Sequence, residues 1–476
     1  MKTNIRAAIA LAAVISAACS QDAPAPYGPV PTPQQVAWQK METNMFVHFG
    51  PNTFTAAEWG DGTEAEDIFN PTDLNCLQWA QTAAKAGFGG IVITAKHHDG
   101  FCLWPSPESS HTVAASTWRD GKGDVLRELS DACAQTGVKF GVYISPWDRN
   151  DPRYGTPEYN AAFVNTLNSV LGGTYGTIYE QWFDGACGEG PSGRKQVYDW
   201  PLFNGTVYQN QPDAIIFSDS GPGCRWVGNE SGQAGRTSWS TLNPEGFAPG
   251  MYNPDLNEGV KNGQAWIPSE TDVSIRKGWF WKESENETVK SLNKLLQIWY
   301  ESVGRNSLLL LNVPPDTRGH LHEIDSTRLM EFRAALDEIQ VNVAAGAKAQ
   351  ANTSRGRRFK ASALVDGKYD TYWAANDGET AASIILTLPE ARAFNRVMIQ
   401  EYIPLGQRVE SFTISVPDGD GWKTVAEETT IGYKRIVLIP QTTADKVRID
   451  ITGALACPAL NNIELYQDNI YVAEQK

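Results

Sequence analysis

"GGIVITAKHHDG", residues 89–100, decides the reading of this chain. Behind two glycines, Ile91 to Ala95 form a short apolar run with β-branched residues, which stops at Lys96, His97, His98 and Asp99. Such a run reads as a strand buried on both faces, the kind found in parallel sheets covered by helices. Only six histidines occur in the 476 residues, and two stand side by side where this strand should end. The C-terminal ends of parallel strands are where functional groups collect.

The same texture recurs on both sides. "MFVHFG" (45–50), "KFGVYISPW" (139–147), "TIYEQWFDG" (177–185), "AIIFSDSG" (214–221), "AWIPSE" (265–270) and "NSLLLLNVPP" (306–315) are further strand candidates. Between them lie helical patterns, "CLQWAQTAAKAG" (76–87), "DVLRELSDACAQTG" (124–137) and "VKSLNKLLQIWYESVG" (289–304), each ending in a glycine suited to a helix C-cap. Strand–helix alternation predicts a parallel sheet with helical crossovers. A (β/α)₈ barrel is the expected closure, with one strand left to be found between 230 and 305. A doubly wound open sheet is the alternative, but no GxGxxG turn follows the first strand.

After about residue 342 the helical period gives way to short alternating runs: "ASIILTL" (382–388), "RVMIQEYI" (396–403), "SFTISV" (411–416), "RIVLI" (435–439), "KVRIDIT" (446–452) and "NNIELYQ" (461–467). That pattern predicts an antiparallel β-sandwich. The expected division is therefore a catalytic barrel over 35–342 and a sandwich over 343–470.

Residues 1–18 read as an export signal: Lys2 and Arg6 precede the apolar "AAIALAAVISAAC" (7–19), too short for a stable membrane span. Cys19 stands where a bacterial lipoprotein signal is cut and lipidated, and residues 19–34 read as a Pro-rich tether. A plain secretory signal cut near Ala18 is the other reading. Both predict an exported protein, periplasmic or at the cell surface, with the first adding a lipid anchor. A net charge of −15 argues against nucleic acid and against an anionic membrane surface, so membrane contact is expected only through that anchor. Beyond Cys19, Cys76, Cys102, Cys133, Cys187, Cys224 and Cys457 make no CxxC pair and are expected to be mostly free and buried.

At the expected strand ends stand His48, the pair His97 and His98 with Asp99, Tyr143 with Trp147 and Asp148, Asp184 and Asp219; loops add Glu230, Glu270 and Arg276. Sixteen tryptophans accompany them, suited to core packing or to stacking on sugar faces. Adjacent histidines and an aspartate invite a metal site, so a metal-dependent hydrolase is one reading. Against it, side chains alternate along a strand, and neither HxH nor HExxH spacing is present. Glycoside hydrolysis needs two carboxyls astride a sugar bond, one ionised and one protonated, with neutral histidines on sugar hydroxyls. A surface lectin with the same pocket and no catalysis is the third reading.

"HFG" (48–50), "EW" (58–59), "AKHHDGF" (95–101), "GVYISPWDRN" (141–150), "WFDGA" (182–186) and "WVGNE" (226–230) resemble glycoside hydrolase family 29, the exo-acting retaining α-L-fucosidases built on a (β/α)₈-like barrel. "WVGNE" and "SIRKGWFW" look like the subgroup that prefers fucose linked α-1,3 or α-1,4 in Lewis-type glycans. The resemblance implies Asp184 as nucleophile and Glu230 as acid/base, with Glu270 in reserve. It also implies a fucose pocket of His48, Glu58, Trp59, His97, His98, Tyr143 and Trp279, and no cofactor for the chemistry. The C-terminal part, through "ALVDGKYDTYW" (363–373) and "NNIELY" (461–466), resembles the discoidin-like sandwiches of carbohydrate-binding module family 32. That likeness implies a structural calcium held by Asp366, Asp370, Thr371 and Glu464, all hard oxygen donors.

Overall fold

The structure, a computed structural model, describes residues 22–473; the export signal and the lipidation site at Cys19 lie outside the described residues. Eight strands close into an all-parallel barrel: β1 (Thr43–Val47), β2 (Gly90–Lys96), β3 (Lys139–Ile144), β4 (Glu180–Trp182), β5 (Ile215–Ser218), β6 (Cys224–Trp226), β7 (Ser269–Ser274) and β8 (Leu308–Asn312). Outward residues of β2 (Ile91, Ile93, Ala95) pack under the helices, while Val92 joins Phe46, Tyr143, Trp182 and Phe217 inside. β2 starts on a glycine because a Cβ at Gly90 would come within 2.5 Å of the Tyr179 ring.

The strand missing from the sequence reading is β6, which lies before residue 230. It has three residues, too few to show a period, and no helix separates it from β5. "AWIPSE" likewise resolves into two parts. Ala265–Trp266 pairs with Thr241–Leu242 in a small antiparallel sheet, and the barrel strand begins only at Ser269.

Helices α1 (Pro33–Gln39), α2 (Cys76–Ala86), α3 (Val125–Thr136), α4 (Glu158–Leu171), α5 (Trp200–Asn210), α6 (Leu292–Glu301) and α7 (Glu323–Ile339) accompany the strands. Asn75 and Asp124 cap α2 and α3 at their N-termini, and Gly87 and Gly137 close them in the left-handed conformation, as their spacing predicts. α6 differs: it ends at Glu301 with Ser302 as its C-cap, two residues short of Gly304. α1 seals the barrel floor with buried Trp38, whose indole donates to Glu180 Oε2 at 3.1 Å.

The second domain is one seven-stranded antiparallel sheet wrapped around its own apolar core. Its strands are β9 (Lys348–Ala351), β10 (Trp373–Ala374), β11 (Ala382–Glu401), β12 (Val409–Asp418), β13 (Gly421–Glu428), β14 (Arg435–Ala454) and β15 (Ala459–Tyr466). "ASIILTL" and "RVMIQEYI" are one 20-residue strand, β11, interrupted by register shifts against β14. β13 escapes sequence reading because its residues are mostly half-buried or exposed. Trp373 is core, with its indole on Thr353 O at 2.9 Å. The Pro-rich segment is not a free tether in its described part: Asp22 O accepts from Arg355, Ala25 O from Arg408, and Tyr27 N donates to Leu405 O. All six cysteines after Cys19 are free, and all but Cys187 are buried.

Candidate active site

β2 ends at Lys96, after a register shift between Thr94 and Lys96. His97 and His98 therefore leave strand alternation, and both rings enter the same space with centroids 4.2 Å apart. Apart from the reserve carboxyl Glu270, the residues expected at the reaction centre or on the sugar all line one cavity of about 200 Å³: Asp184, Glu230, His48, Glu58, Trp59, His97, His98, Tyr143 and Trp279. Trp59 forms its rim, 58% exposed, edge-on to His98 and Trp147.

Asp184, two residues past β4, is held at both oxygens. Tyr143 OH donates to Oδ2 at 3.1 Å and Ala186 N to Oδ1 at 2.8 Å. Tyr143 is itself stacked on Trp182, which stacks on Phe217 with centroids 3.9 Å apart. His98 Nε2 faces Asp184 Oδ2 at 3.6 Å, while its Nδ1 lies 2.8 Å from Ser145 Oγ. Ser145 Oγ lies in turn 2.8 Å from Trp147 O, so the hydroxyl ties the His98 ring to the end of β3.

Burial keeps these imidazoles neutral. It pushes His48 down to about 3 against the opposing hydrogen bond with Asn312, and His97 well below the usual range. It pushes His98 down to about 4, opposed by Asp184. His97 Nδ1 and the Trp182 indole N–H are buried without a partner among the described residues, polar groups that a ligand hydroxyl can satisfy.

Trp279 ties three parts of the site together. Its N–H donates to Glu58 Oε2 at 2.8 Å, its carbonyl accepts from Asn312 at 2.8 Å, and its indole donates to Glu230 Oε2 at 3.3 Å. Asn312 also accepts from the His48 backbone N–H at 3.2 Å. Lys282 neutralises Glu58 from the far side. Glu230 stands on the loop after β6. Partial burial raises its pKa first of all, Asp184 and Glu58 add to that, and the Trp279 indole opposes it.

Glu270 does not reach this cavity. It pairs in register with Leu308 at the lower level of the barrel, where Glu180 and Cys224 Sγ face it and Cys224 lies 3.7 Å from its Oε2. Burial raises both glutamates; Glu180 raises Glu270 further, whereas the hydrogen bonds from Glu270 and Trp38 hold Glu180 back. Asp272, two residues on and one layer higher, is the residue sequence reading missed. It lines the cavity, accepts from the Trp226 indole at 2.8 Å, and is pushed well above the usual carboxylate range by burial and then by Glu230. Period two along β7 relates Glu270 and Asp272, but only the barrel register says which one is at the mouth.

Other expected mouth residues serve the frame. Asp99 accepts from Phe101 N and Asn52, and Asp148 holds Lys96 at 2.8 Å. Arg276 is fully buried on Asp325 at 2.8 Å. Asp219 Oδ2 accepts from Gly250 N at 2.6 Å.

A second cavity of about 560 Å³ opens beside the first. Asp184, Glu230, Asp272, Trp182 and Ala186 belong to both; Trp226, Asp219 and the segment Pro249–Tyr252 line only the outer one. Among the described residues, no three metal-ligating groups of either cavity converge within 4.8 Å.

The calcium set of the second domain does not fit an ion as arranged. Both Asp366 oxygens accept from Thr371 Oγ1, at 2.9 and 2.7 Å. Glu464 is occupied by Asn462 at 2.9 Å and Tyr466 OH at 2.6 Å. Its carboxylate and those of Asp366 and Asp370 form no cluster within 4.8 Å.

The sequence profile of the alpha-L-fucosidase family matches residues 26–337, and that of the F5/8 type C domain matches residues 347–463. Alpha-L-fucosidase 1 of Arabidopsis thaliana is 41% identical over 454 residues, which span 94% of this chain and 89% of the plant protein. Among solved structures, a Ruminococcus gnavus family 29 fucosidase in complex with fucose is similar at a TM-score of 0.87 and 32% identity, covering 94% of this chain and 97% of that one. A glycoside hydrolase family 29 member from an unknown rumen bacterium reaches 0.83 at 39% identity, covering 94% of this chain and 79% of its own.

Proposed function

The chain belongs to the α-L-fucosidase family of glycoside hydrolases, with an F5/8 type C domain behind the barrel, and from that premise we propose an exo-acting, retaining enzyme that releases fucose from α-1,3- or α-1,4-linked, Lewis-type glycans. The observation that carries the reading is the pair of adjoining cavities with Asp184 and Glu230 on their shared wall. One terminal sugar occupies the inner cavity, the remainder of the glycan the outer one, and the bond between them lies at the two carboxyls.

Asp184 attacks the anomeric carbon while Glu230 gives its proton to the departing oxygen. Tyr143 and Ala186 hold the Asp184 carboxylate in one orientation for that attack. Glu230 then takes a proton from water, whose oxygen displaces Asp184 and restores the configuration. Its raised pKa suits the first, acidic role. The neutral imidazoles and the unpartnered His97 Nδ1 and Trp182 N–H supply donors and acceptors to the sugar hydroxyls. The linkage preference rests on the likeness of "WVGNE" and "SIRKGWFW" and on the breadth of the outer cavity. Residues 1–18 carry the proposal of export, with or without a lipid at Cys19.

Incubation with a Lewis-type trisaccharide, 2′-fucosyllactose and an α-1,6-fucosylated chitobiose, followed by chromatography, tests the linkage. Release from the Lewis glycan alone is expected, abolished in Asp184→Ala. Equal release from all three overturns the linkage preference, and binding without release supports the lectin reading. NMR of the first-formed fucose should show the α anomer; the β anomer overturns retention.

A further inference from the structure

The loop that carries Glu230 is fastened at its base by the second domain. Near Glu230 the loop is held by its own turn and by one barrel helix: Asn229 accepts from Ser231 N at 3.1 Å and donates to Gln233 O at 2.8 Å, and Ala234 N reaches Glu301 O. From Arg236 onward the partners change. Ser238 N donates to Thr430 Oγ1 at 2.8 Å, and Ser238 O accepts from Gln407 Nε2 at 2.8 Å. The same Gln407 accepts from Ser240 N at 2.7 Å. Arg236 pairs with Glu428 at 3.0 Å, while Arg236 O accepts from Arg435 at 2.6 Å.

These contacts are built, not incidental. Ser238, Ser240, Gln407 and Thr430 are each at most 4% exposed, so the main-chain groups they satisfy have no water to turn to. Gln407 and Thr430 are in turn placed by one buried carboxyl. Glu401 accepts from Arg408 N at 2.8 Å, Val409 N at 2.9 Å and Gly432 N at 2.7 Å, pinning the two turns that present them. A Cβ at Gly432 would meet Asn306 at 2.2 Å, and Asn306 also donates to Ser238 O and Ser240 Oγ. Both domains thus converge on residues 238–240.

We propose that the F5/8 type C domain is a working part of the catalytic unit: it positions the Glu230 loop, with Gln407 as the positioning residue. The inference rests on the assignment of Glu230 as acid/base and deepens it. A chain that lacked this support would keep Asp184 and the sugar cavity, both built on the barrel, and lose the placement of the acid alone.

The placement has a chemical signature that general destabilisation lacks. An aryl fucoside with an acidic phenol departs without help, whereas one with a weakly acidic phenol needs a well-placed proton donor. Full-length Gln407→Ala should therefore lose about tenfold or more in kcat/KM on phenyl α-L-fucoside and less than about threefold on the 2,4-dinitrophenyl compound. Lys434→Met serves as the control, because the Lys434 side chain bridges the same two domains through Glu42, just before β1, rather than through residues 236–240. It should lower both substrates equally or not at all.

Glu230→Ala is measured alongside. A steep dependence on the leaving group there, with a flat one in Gln407→Ala, overturns the inference alone. A flat dependence in Glu230→Ala overturns the acid/base assignment and the inference with it. The same steepening in Lys434→Met overturns the claim that this contact is the one that matters. Should Gln407→Ala not fold, Gln407→Glu keeps acceptance from Ser240 N and loses donation to Ser238 O; an intermediate slope is expected, and an unchanged one refutes the role.

Discussion

Tyr143 and Asp184 are joined between neighbouring strands by a 3.1 Å hydrogen bond from the phenol to Oδ2. The tyrosine comes from the third strand and the aspartate from just past the fourth, so the bond fixes the carboxylate against a rigid neighbour rather than against its own loop. A hydrogen bond to a charged group contributes about 1.5–3 kcal/mol. Tyr143→Phe should therefore lower kcat/KM by roughly 10- to 100-fold with little change in melting temperature. An unchanged rate in a folded variant would show that Asp184 needs no such anchor.

Glu230 should govern the alkaline limb of the pH–rate profile. Its pKa is raised, chiefly by burial and also by the charges of Asp184 and Glu58, and lowered by the Trp279 indole. Activity then falls as pH rises through that raised value, because the proton donor is lost. Trp279→Phe removes the group that stabilises the anion and should move the limb upward; Glu58→Gln removes a negative charge and should move it downward. Shifts of the opposite sign in kcat/KM profiles would exclude Glu230 as the titrating acid.

Glu270→Gln distinguishes the buried carboxyl from the catalytic one. The side chain lies beneath the reaction level, so activity should stay within about threefold of the wild type. Its folded-state pKa is raised by burial and by Glu180. The folded state therefore holds a proton that the unfolded chain releases above its ordinary pKa, and stability falls as pH rises from there. The neutral glutamine removes part of that fall, so the gap between melting temperatures at pH 5 and pH 7.5 should narrow (both pH values about where the unfolded carboxyl is ionised). A lost activity or a widened gap would contradict the assigned position.

Chelation should do little. The Asp366 and Glu464 oxygens are engaged by Thr371, Asn462 and Tyr466 rather than gathered around a common point. EDTA is expected to leave both fucose release and the melting temperature unchanged. A melting temperature that drops in EDTA and returns with Ca²⁺ would show that these side chains rearrange around an ion.

Much of this site was legible in the linear sequence because it is written in local terms. The runs around Ile91, Tyr143 and Leu310 are apolar over a strand's length, and each hands over abruptly to polar residues. That pattern placed His48, His97, His98, Tyr143 and Asp184 at strand ends, and the cavity holds all of them. Glu230, Glu58 and Trp279 lie on loops without a period of their own. Glu230 stood out as a loop carboxyl, but only the resemblance to known motifs gave the three their roles, and the fold gathered them through Trp279.

What the sequence determined by itself was the barrel, the antiparallel domain after it, and the residue types that crowd the mouth, since burial and alternation are properties of neighbours along the chain. Tertiary structure alone decided the rest. β6 became a strand through pairing with β5 and β7 and not through any period in its three residues. Glu270 and Asp272 share one face of β7, and only pairing with β8 put the first in the floor and the second at the mouth. The Glu230 loop is anchored by Gln407, 177 residues further along. Register and cross-domain contacts join residues far apart in the chain, and no local pattern encodes the distance between them.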